Sequence, residues 1–184
     1  YPLPFGKIQD SSTTIIERRH LSYLGGIYVD VFPLDPVPVN MFKRRMHYAK
    51  YEIMKQLLYM VHRDPYKHGH GPSCWVPLLI QSCFTMTYIQ RAIRKLLLKY
   101  DYNSTPLAAD YTDGLKGVMM KTVNCEYAPY EFEGVTVMGF KGYESYLPQM
   151  YGDYMKIPEG AAQRQHNFHY LDLNKPYRES ESIQ

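Results

Sequence analysis

Gly26-Ile27-Tyr28-Val29-Asp30-Val31-Phe32-Pro33-Leu34-Asp35 is the stretch on which the reading of this chain turns. Ile27 to Phe32 is rich in β-branched and aromatic residues, which suit a pleated surface and predict a strand. Gly25 and Gly26 supply the turn before it. Pro33, Pro36 and Pro38 end it, because none has the amide that a sheet ladder needs. Side chains alternate along a strand, so Ile27, Val29 and Val31 share one face and Tyr28, Asp30 and Phe32 the other. Asp30 is therefore a carboxylate set between two aromatics. Burying such a group is costly unless it meets a cation. The residues alone leave two partners open, a lysine or arginine from elsewhere or a metal ion. Asp35 reads as a turn residue bonding its own backbone rather than as a catalytic acid.

Working outward, Phe5 to Asp10 reads as a loop feeding a short strand, and Ser11 to Glu17 as a second, β-branched strand. Met41 to His62 predicts a helix, since Phe42, Met46, Ala49, Ile53, Leu57 and Met60 recur at three and four residues. A second helix is expected from about Val76 to Tyr100, with an apolar first half and Arg91, Arg94, Lys95 and Lys99 in its second. Trp75 to Ile89 is shorter than the roughly 20 apolar residues a membrane span needs, and it contains Gln81, Ser82, Thr85 and Thr87. The helix is read as a core element, with Leu78, Leu79, Phe84 and Ile89 packed on the sheet that carries Asp30 and any membrane contact left to the basic end. Asp101 to Ala109 reads as a polar connector, Tyr127 to Phe140 as a strand pair around Gly134, and Tyr143 to Tyr151 as a helix stopped by Gly152. The class is α+β. One domain over 1–177 is expected, followed by a frayed tail at 178–184.

The bulk numbers narrow the function classes. With 184 residues, 45% of them hydrophobic, the chain can bury a core and is not a disordered one. A net charge of +3 lacks the basic stripe of a nucleic-acid binder but permits anionic substrates. Three scattered cysteines make no disulfide framework. The chain opens at Tyr1 without a methionine and reads as a fragment or processed product. His68-x-His70 in a Gly-rich loop offers candidate zinc ligands, but its untidy spacing fits a polar surface loop better. Arg164 and His166, with His169, Lys175 and Arg178, form a basic C-terminal segment that is either solvated or set to meet a phosphate.

The decisive stretch resembles the signature Gly-Ile-(Phe/Tyr)-(Ile/Val)-Asp-(Ile/Val)-Phe-Pro-Leu-Asp of LicD family proteins. Upstream, Lys7-Ile8-Gln9-Asp10 followed by Thr13 is similar to the family's Lys-Ile-x-Asp-x-x-Thr element. Downstream, Phe132-Glu133-Gly134, Tyr151-Gly152-Asp153-Tyr154-Met155 before Pro158, His166, and Lys175-Pro176-Tyr177 match in the family's order. The resemblance runs over nearly the whole chain. It implies a partial nucleotidyltransferase-like mixed sheet with packed helices. It also implies transfer of phosphocholine, or a similar phospho-group, from a CDP-linked, CDP-choline-like donor to a hydroxyl of a cell-surface glycan.

Such folds use an Asp-x-Asp pair on one strand and a third acid on a neighbour. Asp30 matches the third acid by position, which makes it the expected catalytic residue and ligand for Mg2+ or another divalent cation. Lys7, Glu133, Arg164 and His166 are the expected substrate contacts. The departure from the family is the absence of any Asp-x-Asp in this chain. The parent protein is expected to be the enzyme, with the chain alone inactive. The rivals are a non-catalytic nucleotide- or glycan-binding remnant and a membrane-associated partner module. The expected location is cytoplasmic, at or near the inner face of the membrane, with peripheral contact at most.

Overall fold

The computed structural model describes residues 5–17, 24–157, 159–160 and 168–179. The described residues fall into two compact units, one within Tyr1–Phe32, Glu52–Lys95 and Arg164–Gln184, the other within Pro33–Tyr51 and Leu96–Gln163. Helices and small antiparallel sheets occur together, so the class is α+β.

In the first unit, β1 (Gly6–Gln9) pairs antiparallel with β3 (Tyr28–Val31), placing Lys7 opposite Asp30 and Ile8 opposite Val29. β2 (Thr14–Ile16) pairs with β9 (Tyr170–Asp172). That pairing is locked by the buried Thr14 hydroxyl, which donates to the Lys175 carbonyl at 2.6 Å, and by the His169 amide on the Ile16 carbonyl at 2.7 Å. The expected alternation along β3 is present, but burial runs opposite to a simple hydrophobic-in rule. Ile27, Val29 and Val31 are exposed, whereas Tyr28 and Asp30 are half-buried. Tyr28 and Asp30 are the covered pair because the Lys7 ammonium lies over the Tyr28 ring and beside Asp30, with Glu17 as its second carboxylate, whereas Phe32, beyond the strand, is exposed.

The predicted first helix is α1 (Met41–His62), which contributes residues to both units. The second predicted helix is two helices, α2 (Trp75–Cys83) and α3 (Met86–Leu97). Phe84 breaks them by turning extended, at φ −131° and ψ 140°. The Thr85 hydroxyl then accepts the Tyr88 amide at 3.2 Å, as an N-cap does. Of the four residues expected in the core, Ile89 is buried, beside the buried Ile93 on α3, and Phe84 is half-buried, whereas Leu78 and Leu79 on α2 are exposed. None of the described helices is long and apolar enough to cross a membrane.

In the second unit, β4 (Asp35–Pro36), β5 (Leu107–Ala109) and β6 (Met119–Met120) form a three-stranded sheet with β5 in the centre. The expected polar connector at Asp101 to Ala109 thus ends in a central strand whose Ala108 and Ala109 are wholly buried. Around it Tyr111 stacks on Tyr48, with ring centroids 4.6 Å apart, and meets the edge of His47 at 5.5 Å. β7 (Tyr127–Phe132) and β8 (Val135–Phe140) form the expected hairpin. Its two-residue turn, Glu133 at φ 50° and Gly134 at φ 80°, has both residues left-handed, the twist that lets a tight hairpin close. α4 (Tyr143–Tyr151) stops at Gly152, whose φ of 68° is open to glycine.

Candidate functional site

Lys7 organises the polar face of the β1–β3 pair. Its ammonium lies 2.9 Å from Glu17 Oε1 and 3.6 Å from Asp30 Oδ1. It also sits 3.0 Å from the centroid of the Tyr28 ring, a cation–π contact. The lysine side chain is only 5% exposed, while the two carboxylates keep 27% and 29% of their surfaces open. One ammonium therefore serves two partly open carboxylates from below. Asp30 Oδ1 is shielded and accepts no hydrogen bond, and the longer ion contact with Lys7 reaches it.

The backbone that holds this face explains why two stretches of sequence belong together. The Asp10 amide donates to the Ile27 carbonyl at 2.7 Å. The Ile27 amide donates to the Thr13 hydroxyl at 2.8 Å, and that hydroxyl donates to the Asp10 carbonyl at 3.1 Å. Gly26 runs so close to this turn that a Cβ there would collide with the Asp10 carbonyl. Asp10 itself accepts from the Ser12 hydroxyl and amide, which hold its carboxyl below the usual range. Asp10, Thr13 and Gly26 are thus scaffolding that sets the register of Lys7 against Asp30.

Of the residues expected to bind or react, Lys7 and Asp30 are brought together. Glu133 sits exposed at the tip of the β7–β8 turn, in the other unit. Arg164 and His166 lie outside the described residues. Glu17 was missed by sequence reasoning. Its signal was the acid closing the β-branched run Thr13 to Glu17, one strand-length from the Lys7 element.

Asp35 departs from its turn reading. It opens β4 opposite Ala109, half-buried, and desolvation followed by the nearby Asp110 charge pushes its carboxyl above the usual range. Asp110 is buried, accepts from the Thr112 amide and hydroxyl at 2.8 Å, and starts the 3-10 turn Tyr111–Gly117. No group of three or more His, Cys, Asp or Glu side chains suited to a metal comes together among the described residues.

Over 91 residues the chain is 33% identical to the lipopolysaccharide cholinephosphotransferase LicD of Haemophilus influenzae. That match covers 47% of this chain and 34% of the relative, so the chain spans about a third of the length of the curated protein it matches. The relationship is LicD-like and extends over part of the chain, whereas the motif resemblance runs over nearly all of it. No family profile matches the chain, and no solved structure matches it.

Proposed function

We propose that this chain is part of a phosphotransferase that moves phosphocholine, or a similar phospho-group, from a CDP-linked donor to a hydroxyl of a cell-surface glycan. The observation that carries this reading is the 91-residue similarity to a cholinephosphotransferase. The first unit is then a portion of a nucleotidyltransferase-like sheet, with the β1–β3 polar face turned to the donor.

The residues of that face suit the chemistry. Magnesium is typically held by one or two carboxylates together with substrate phosphates and water. Asp30, with a shielded oxygen that accepts no hydrogen bond, and Glu17 are the carboxylates that would hold it. When bound, such an ion neutralises the donor phosphates. Lys7, expected as a substrate contact, is nearly buried beneath the two carboxylates, so its ammonium would hold them in place and add positive charge under the donor phosphates. In the transfer, the acceptor hydroxyl oxygen forms a bond to the phosphorus of the phosphocholine group. The bond from that phosphorus to the CMP oxygen breaks, CMP leaves with the electron pair, and the hydroxyl proton passes to a carboxylate or to water.

Two carboxylates fall short of the usual set for this transfer, which favours donor binding over turnover by the chain alone. Calorimetric titration with CDP-choline and magnesium tests the reading. Saturable binding that is lost in Asp30→Ala, with no CMP released above background, is the expected result. A folded chain that ignores CDP-choline, or one whose binding is unchanged in Asp30→Ala, would overturn it.

A further inference from the structure

α2 is inside out. At 100° per residue, Trp75, Val76, Leu79, Ser82 and Cys83 fall on one side of the helix, and all are exposed, Trp75 at 66% and Leu79 at 64%. The opposite side carries the buried Pro77 and the half-buried Gln81. Gln81 is the residue that ties α2 down, its amide donating to the Met60 carbonyl at 3.0 Å and the Arg63 carbonyl at 2.9 Å. The one hydroxyl on the outward side, Ser82, is spent on the Leu79 carbonyl at 2.8 Å. The helix thus turns a polar amide inward and an uncharged apolar face outward, the reverse of a surface helix in water.

We infer that this face of α2 docks on a lipid surface bearing anionic head groups. Three features single out that partner. α2 contains no charged residue, so nothing on it resists transfer out of water. Its outward face begins with Trp75, a side chain that favours the membrane–water boundary. Charge complementarity follows directly in sequence. Past the two-residue break at Phe84 and Thr85, α3 exposes Arg91, Arg94 and Lys95 with Tyr88 while burying Ile89 and Ile93. Nine residues of helix rise about 14 Å, half of a hydrocarbon core, so α2 lies in the interface and does not span it. The inference is independent of the donor chemistry above.

Trp75 is the chain's one tryptophan, so its fluorescence reports on the proposed contact without a label. The full chain is mixed with vesicles of phosphatidylcholine alone or with phosphatidylglycerol, then floated at low and high salt. The expected result is flotation with the anionic vesicles together with a shift of Trp75 emission to shorter wavelength. Replacing Arg91, Arg94 and Lys95 together by Gln should weaken partition by about fivefold per charge. Leu79→Asp should weaken it roughly tenfold or more and abolish the spectral shift. Both variants alter exposed positions, and circular dichroism confirms that they fold. Flotation without a change in Trp75 emission would mean contact through the basic residues alone, and the inference would fail. It would also fail if the chain does not float but forms a dimer that Leu79→Asp dissociates, because the face would then join two copies of this chain.

Discussion

Lys7 and Asp30 stand opposite each other in the β1–β3 register, with the lysine ammonium 3.6 Å from Asp30 Oδ1. The lysine is nearly buried and the acid is not, so removing the lysine takes from Asp30 and Glu17 the ammonium that they share. Lys7→Met is expected to destabilise the chain by about 1–3 kcal/mol in urea unfolding. Adding Asp30→Asn should recover part of that loss, because the neutral amide no longer needs a counterion. A double-mutant cycle in which the two changes simply add would show that the pair is not coupled.

Gly26 and Gly6 make a matched test of the scaffold. A Cβ on Gly26 would meet the Asp10 carbonyl and crowd the Thr13 hydroxyl, whereas a Cβ on Gly6 meets only Val31 at ordinary contact, 3.7 Å. Gly26→Ala is therefore expected to cost about 3 kcal/mol or more, and Gly6→Ala to be neutral or mildly stabilising. Thermal unfolding of the two variants side by side checks this. Equal melting temperatures would mean that the Asp10 turn yields without cost.

Much of this arrangement was legible in the sequence, and the reasons the rest was not are physical. Alternation fixes which residues share a face, and Tyr28 and Asp30 do share one. It does not say which face is covered, and here Lys7 covers Tyr28 and Asp30 while Val29 stays bare. The break at Phe84 left no trace in composition because one extended residue suffices to make it. Ala108 and Ala109 hid a central strand, since small side chains carry little β signal of their own and gain their place from tertiary packing. Glu133-Gly134 was readable because the tight turn needs the left-handed conformation that glycine supplies.

His47 gives the second unit a pH dependence. It is buried, its Nε2 has no hydrogen-bond partner, and it lies at the edge of Tyr100 and Tyr111. Desolvation first, then the charges of Lys99 and Lys50, hold its pKa below the ordinary histidine value, and a hydrogen bond with the Leu96 backbone offsets part of this. The unfolded chain takes up the proton at about pH 6.5, before the folded chain does. The stability associated with His47 is thus complete above that pH and is lost as the pH falls from there through the lower, folded value. His47→Gln should flatten the acid side of the stability curve, leaving a smaller slope from His62, which desolvation also lowers. A curve with an unchanged acid limb would show that His47 titrates normally.

Gln81 offers the last test, because it separates what holds α2 in place from what α2 presents. Its amide donates to the carbonyls of Met60 and Arg63, which lie at the C-terminal end of α1 where no further turn of helix can satisfy them. Gln81→Leu keeps the size and removes both donors, leaving those carbonyls without this partner. The expected cost is about 1–2 kcal/mol, more than a leucine gains by the added apolar contact at a half-buried position. The outward residues Trp75 and Leu79 are untouched, so any change in Trp75 emission in water would report loosening of α2 itself. Hydrogen exchange of the α2 amides should rise in this variant while that of α3 stays low, since α3 is anchored separately by Ile89 and Ile93. Equal protection of α2 in the variant and the parent chain would mean that Pro77 and its apolar neighbours, not the amide bonds, hold the helix.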